Sequence, residues 1–107
     1  MSRNKTYHFS IERKERFEYI KATCGVGEPL VSEIYQSPTS SIPSENTLTD
    51  TGVIIVRNVE TRKIVTVYIA STGQAVALYR AATNGKRLPD WLFEQVLDNQ
   101  LLRANQP

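Results

Sequence analysis

Two neighbouring segments decide the fold: VIIVRN at residues 53–58 and KIVTVYIA at residues 63–70. Both are rich in valine, isoleucine, threonine and tyrosine, the residue types that fit the pleated, half-buried surface of a β-sheet. The polar stretch at residues 59–62 separates them. The pattern therefore predicts a β-hairpin in the middle of the chain.

The apolar residues also predict the register of this hairpin. If Val56 pairs with Val65, Ile54 pairs with Val67, and one face of the hairpin is fully apolar. A slip by one residue would mix polar and apolar side chains on both faces, so the first register is favoured. The opposite face then presents a second set of residues: Val53, Ile55, Arg57, Ile64, Thr66 and Tyr68.

The segment at residues 11–24 fits an amphipathic helix. Phe17, Ile20 and Cys24 recur at spacings of three and four, which places them on one helical stripe. Aromatic residues also alternate in this segment, so a hairpin that turns at residues 13–15 is the alternative. We favour the helix, which the glycine after Cys24 would end.

Three further segments have weaker patterns. Tyr7, Phe9 and Ile11 alternate with polar residues, which predicts a short opening strand or extended arm. A proline begins residues 29–36, and the apolar edge of this segment predicts a short helix. Residues 37–51 are rich in serine, threonine and proline, which predicts a flexible loop.

The C-terminal part of the chain predicts a helical hairpin. An alanine-rich helix over residues 74–82 is followed by Asn84 and Gly85, residues that end helices in the left-handed conformation. A last helix extends over residues 88–103. The expected class is α+β, with N-terminal helices, a small antiparallel sheet containing the central hairpin, and a C-terminal helical hairpin. We expect one domain over residues 1–107.

Charge and composition restrict the function only coarsely. The formal net charge of +2 is too small to imply nucleic-acid binding by itself. Residues 25–50 carry four acidic residues and no basic one; we interpret this as solvated loop charge, with a partner-facing strip as the alternative. The apolar runs are too short to cross a bilayer. Because Cys24 is the only cysteine, we expect no internal disulfide and a cytoplasmic protein.

Candidate ligand-binding residues lie near the N-terminus. His8 is the only histidine, and its ordinary pKa lies near neutrality, so it is a candidate acid or base; a plain surface histidine is the more common case. The predicted helix places Arg13 within its apolar stripe and Arg16 at the edge. A buried guanidinium needs a carboxylate or an anionic ligand, because burying it unpaired is costly. Extension of the side chain past the core into solvent is the alternative.

The hairpin face that bears Arg57, Thr66 and Tyr68 supplies a second candidate group. Arg57, Thr66 and Tyr68 together offer a cation, a hydroxyl and a phenol, which can hold a phosphate and stack on or hydrogen-bond a base. A half-exposed sheet surface without a ligand is the alternative. No metal or nucleotide motif accompanies these residues. With one histidine and one cysteine, we expect neither a metal nor another cofactor.

The stretch TYHFSIERKERF, followed by TGVIIVRNVETRKIVTVYIAS, resembles small proteins of the RelE/EndoU-like ribonuclease superfold found in phages and mobile elements. In that family a histidine near an N-terminal helix precedes a small antiparallel sheet that ends in a Thr-Val-Tyr-like strand. The resemblance implies roles for four residues: His8 as acid or base, Arg57 as a phosphate clamp, and Thr66 or Tyr68 as substrate-positioning groups.

Two classes of function follow. We favour a non-catalytic phage or mobile-element accessory protein that acts through protein–protein contacts, because no catalytic set is complete in the sequence. A homodimer or another protein partner would then contact the C-terminal helix, whose apolar face is wide for a chain of this length. The residues of this face are Leu92, Phe93, Val96, Leu97 and Leu101.

The alternative is a metal-independent RNA-cleaving or RNA-binding domain that resembles RelE-type toxins. Its catalytic residues would be His8, Arg57 and Tyr68, and its substrate-binding residues Arg13, Arg16 and Thr66.

Overall fold

The computed structural model describes the backbone of residues 2–39 and 41–107, and the side chains of residues 11–39 and 41–107. Four strands form one antiparallel sheet in the order β1-β2-β3-β4. The predicted α+β class is therefore confirmed. The elements in chain order are α1 (Ser2–Ala22), β1 (Pro29–Tyr35), β2 (Ser44–Thr49), β3 (Val53–Asn58), β4 (Ile64–Ile69), α2 (Thr72–Ala82), α3 (Asp90–Asp98) and α4 (Gln100–Ala104).

Both faces of this sheet are covered by helices. On one face, Ile20 of α1 packs against Val53, Val67 and other apolar residues of β3 and β4. On the other face, Ile54 and residues of β2 pack against α2 and α3 through residues such as Leu92. The sheet is therefore the middle layer of the described domain, and its central strands need apolar residues on both sides.

The predicted register of the central hairpin is wrong by one residue. Val56 pairs with Thr66, and Ile54 pairs with Tyr68. The prediction selected the register that makes one face fully apolar, whereas helices cover both faces, so an apolar face does not select the register. A bulge follows Val56, and beyond it Arg57 lies beside its predicted partner, Ile64.

The helix predicted at residues 11–24 is confirmed over residues 11–22, and the alternative hairpin is excluded. The opening strand predicted at residues 7–11 is wrong, because α1 begins at Ser2; an alternation of only five residues is too short to exclude a helix. Gly25 ends the helix as predicted. Its backbone is left-handed (φ 77°), and its N–H donates to the Ile20 carbonyl at 2.7 Å.

The helix predicted at residues 29–36 and the loop predicted at residues 37–51 are both corrected, because β1 and β2 lie there. A proline can begin a helix, but it can also begin an edge strand, which is its position in β1. The polar composition of strand β2 predicted a loop instead of a strand. The hydroxyls of Ser32 and Thr47 hydrogen-bond across the two strands at 2.7 Å, so polar side chains contribute to the pairing.

The predicted C-terminal helical hairpin is present. Ser71 and Gln74 form a capping box at the start of α2, and left-handed residues at Asn84 and Gly85 follow its end. The single last helix of the prediction is divided at Asn99 into α3 and α4. The buried Asn99 side chain donates to the Thr51 carbonyl at 2.7 Å, which fixes α3 to the turn between β2 and β3.

Helix α4 continues to the other side of the sheet. The Tyr19 hydroxyl of α1 donates to the Leu102 carbonyl at 3.0 Å, and the Gln106 side chain accepts from the Ile69 N–H at 3.1 Å. These contacts hold the C-terminal helices across one end of the sheet. The side of α3 that faces away from the core is consequently turned to solvent.

Candidate functional site

A groove of about 270 Å³ lies between α1 and the edge strand β4; we call it the α1–β4 groove. Arg13 lines this groove together with Thr66. Arg16 approaches the same place, and its Nη1 donates to the Thr66 hydroxyl at 3.2 Å while its Nε donates to the Pro107 carbonyl at 2.8 Å. The structure thus brings together the three predicted substrate-binding residues, Arg13, Arg16 and Thr66.

The electrostatics of the α1–β4 groove favour an anion. Burial lowers the pKa of the Arg13 guanidinium, and the positive charge of Arg16 lowers it further. The Arg13 guanidinium nonetheless stays protonated, because an arginine is charged throughout the physiological range. Lys14 is the second cation of the lining, beside Arg13, and Phe17 adds an aromatic ring. Phosphate or carboxylate groups are the ligands that such a groove can hold.

Of the three predicted catalytic residues, the structure describes the side chains of Arg57 and Tyr68, and these two lie apart. The His8 side chain lies outside the described residues. Arg57 lies at the turn end of the hairpin, where its Nη1 donates to the Arg62 carbonyl at 2.7 Å. Tyr68 packs against the core under α2, and burial raises the pKa of its phenol. The partner of Arg57 in β4 lies four residues before Tyr68, a separation of about 13 Å along the strand.

The second surface lies on the C-terminal helices. The apolar band predicted there is divided: Leu92 and Val96 are buried in the core, whereas three other members face solvent. We call these three residues the α3–α4 stripe; they are Phe93, Leu97 and Leu101, with 39%, 53% and 75% of their surface exposed.

A basic cleft of about 460 Å³ lies beside the α3–α4 stripe, between α2 and α3; we call it the α2–α3 cleft. Phe93 belongs to both features, since it lines the cleft. Arg87 pairs with Asp90 at 3.0 Å. The other two cations of the lining, Arg80 and Lys86, have no ion-pair partner in the described part of the chain.

This cleft was not predicted from the sequence. Its three cations lie within eight residues of sequence, at positions 80, 86 and 87. That spacing was the available signal. Their convergence beside Phe93, however, depends on how α2 packs against α3, which local patterns do not report.

The chain matches no known protein family, no curated protein and no solved structure. None of the helices in the described part of the chain combines the length and the hydropathy that crossing a membrane requires.

Proposed function

We propose that the protein is a non-catalytic phage or mobile-element accessory protein that acts through protein–protein contacts, and that its α3–α4 stripe binds a second copy of the chain. The observation that supports this proposal is the exposure of Phe93, Leu97 and Leu101 along one side of the C-terminal helices. Each large apolar side chain left in water forgoes roughly 1.5–3 kcal/mol of burial free energy. The phage or mobile-element setting follows from the resemblance described above.

Charge favours this surface over the exposed apolar residues of edge strand β1. Leu30 and Ile34 are exposed on edge strand β1. However, β1 lies within residues 25–50, which carry four acidic residues and no basic one. Two copies joined at β1 would bring like charges together. The α3–α4 stripe has acidic and basic residues nearby, so two copies can meet there without net repulsion.

A leucine substitution tests this function. We expect Leu97→Asp to weaken self-association at least about tenfold, because the variant loses apolar burial and places a carboxylate in the contact. Trp91 is the only tryptophan and is 54% exposed in the single chain. Its emission should shift to longer wavelength when the wild type is diluted, and Leu97→Asp should move this transition to higher concentration.

The matched control is Leu30→Asp, which makes the same change at an exposed leucine outside the stripe. Its tryptophan emission should shift at the same concentration as that of the wild type. An emission spectrum that does not depend on concentration in the wild type, or an equal effect of the two variants, would contradict the proposal.

Binding of RNA by the α1–β4 groove is the second candidate function. It is supported by Arg13 and Thr66 in the lining of that groove and by Arg16, which donates a hydrogen bond to the Thr66 hydroxyl. We expect Arg16→Gln to weaken binding of single-stranded RNA and to reduce the salt dependence by about one counterion. The control is Arg103→Gln, at an exposed arginine of α4. Absence of salt-dependent RNA binding by the wild type would exclude this candidate.

The RNA-cleaving form of this candidate has its own readout. His8 is the only histidine, so His8→Ala should abolish cleavage of single-stranded RNA in EDTA and leave the melting temperature nearly unchanged. Binding without cleavage would leave an RNA-binding domain. Cleavage that persists in His8→Ala would exclude His8 as the acid or base.

A further inference from the structure

The α3–α4 stripe is bordered by opposite charges. Seen down the helix axis from Leu97, Phe93 lies about 40° to one side and Glu94 about 60° to the other. On the Phe93 side is the α2–α3 cleft with Arg80 and Lys86. On the Glu94 side the helix exposes Trp91 and Asp98 as well. The stripe thus has a basic flank toward α2 and an acidic, aromatic flank on the side away from α2.

This arrangement selects one orientation for a two-fold dimer. When two helices pack in parallel about a two-fold axis, the left flank of one meets the right flank of the other, as in parallel coiled coils. When they pack antiparallel, each flank meets its own copy. The acidic flank of one α3 therefore contacts the basic cleft of its partner only in the parallel orientation, whereas the antiparallel orientation places Glu94 near its own copy.

We propose, on the basis of the proposed function, that the α3 helices of two copies pair in parallel, with Trp91 and Glu94 of each protomer in the α2–α3 cleft of the other. The occupant of the cleft is a second copy because this chain itself carries the complementary flank. Trp91 of one protomer then lies beside the partner's Lys86, and Glu94 lies beside the partner's Arg80.

The heights of these residues along the helix agree with this pairing. Trp91 lies in the first turn of α3, and Lys86 lies in the segment that leads into that helix. Arg80 is in the last turn of α2. Glu94 lies about 4.5 Å further along α3 than Trp91, within the reach of an arginine side chain. Two α3 helices that begin at the same height therefore bring these groups to the same level.

The pairing also satisfies cations that the single chain leaves unpaired. Asp90 neutralises Arg87 within the chain, but Arg80 and Lys86 have no ion-pair partner among the described residues. In the dimer Glu94 of each protomer lies beside the partner's Arg80, and the Trp91 indole lies beside the partner's Lys86. Tryptophan is the aromatic residue that binds cations best, and partly exposed tryptophans are frequent centres of protein interfaces.

Charge reversal with rescue tests the orientation. We expect Glu94→Lys to weaken self-association about tenfold in sedimentation equilibrium at low salt, because the change acts at both symmetric contacts. Combined Arg80→Glu and Lys86→Glu should weaken it by a similar factor. The triple variant that carries all three changes should regain most of the wild-type affinity. The control is Glu60→Lys, at an exposed position in the turn between β3 and β4.

The outcomes separate this inference from the proposed function. If Leu97→Asp disrupts the dimer while Glu94→Lys behaves like Glu60→Lys, the stripe is the interface but the parallel pairing is wrong. Failure of the triple variant to recover would also overturn the pairing, provided that its melting temperature equals that of the wild type. A wild-type chain that stays monomeric at every concentration would overturn both proposals.

Discussion

Val67→Asp is expected to unfold the protein, whereas Thr66→Asp at the adjacent position leaves it folded. The Val67 side chain is 3% exposed and packs with Ile20 and Val53 between α1 and the sheet. A carboxylate at this place costs several kcal/mol, and a small domain has only about 5–15 kcal/mol of stability to lose.

Thr66 is the matched control because it lies in the same strand but reaches the α1–β4 groove. Arg16 already donates to its hydroxyl, so a carboxylate there gains a cationic partner. Circular dichroism melting of the two variants measures the difference. Similar melting temperatures would contradict the observed packing of β4.

Gly52→Ala should lower the melting temperature by roughly 10 °C. Gly52 has a left-handed backbone (φ 82°), which costs an alanine about 1–2 kcal/mol. An added Cβ would also lie 2.9 Å from Val96 Cγ2 and 3.0 Å from Asn99 Nδ2. Because Asn99 holds α3 to the turn before β3, displacement of its side chain weakens that attachment. A loss of about 2 kcal/mol corresponds to a shift of this size in a domain of this length.

Gly73→Ala is the control for this substitution. Gly73 lies in the first turn of α2, with no atom within 4 Å of the added Cβ. Alanine has the higher helix propensity, so this variant should melt at the wild-type temperature or slightly above it. If Gly52→Ala melts together with Gly73→Ala, the close approach of α3 to the β2–β3 turn is wrong.

The elements that could be predicted from the sequence are those whose signals are local. The strands at residues 53–58 and 63–70 are dense in β-branched residues, and α2 has a serine cap and a left-handed stop. Strand β1 was missed because a proline can begin a helix as well as an edge strand. Strand β2 was missed because of its polar composition; it pairs with β1 through hydroxyl contacts such as the one between Ser32 and Thr47. The polar composition that predicts a loop is the same composition that forms this pair.

The hairpin register was missed for a different reason. Selecting a register by hydrophobicity requires knowing how many faces of the sheet are covered, and that is a tertiary property. The break in the last helix is similar. Asn99 is an ordinary polar residue in the sequence, and only the folded structure places its side chain on the Thr51 carbonyl at the point where the helix divides.

Some candidate residues could likewise be placed from local spacing, whereas others depend on tertiary packing. Arg13 and Arg16 could be placed on the inner side of α1 from helical spacing alone, and the structure places them beside Thr66. The predicted meeting of Arg57 with Tyr68 depended on the wrong register, which placed both side chains on one face of the sheet. The α2–α3 cleft joins residues from two helices and the segment between them, so spacing along one element could not show it.

Sedimentation equilibrium of the wild-type chain over a wide concentration series measures whether the α3–α4 stripe binds a second copy. The protomer mass is 12.1 kDa. Self-association through the α3–α4 stripe predicts that the apparent mass rises with concentration to twice this value, and that Leu97→Asp shifts the rise to higher concentration while Leu30→Asp does not. An apparent mass that stays at one protomer throughout the series would contradict the account.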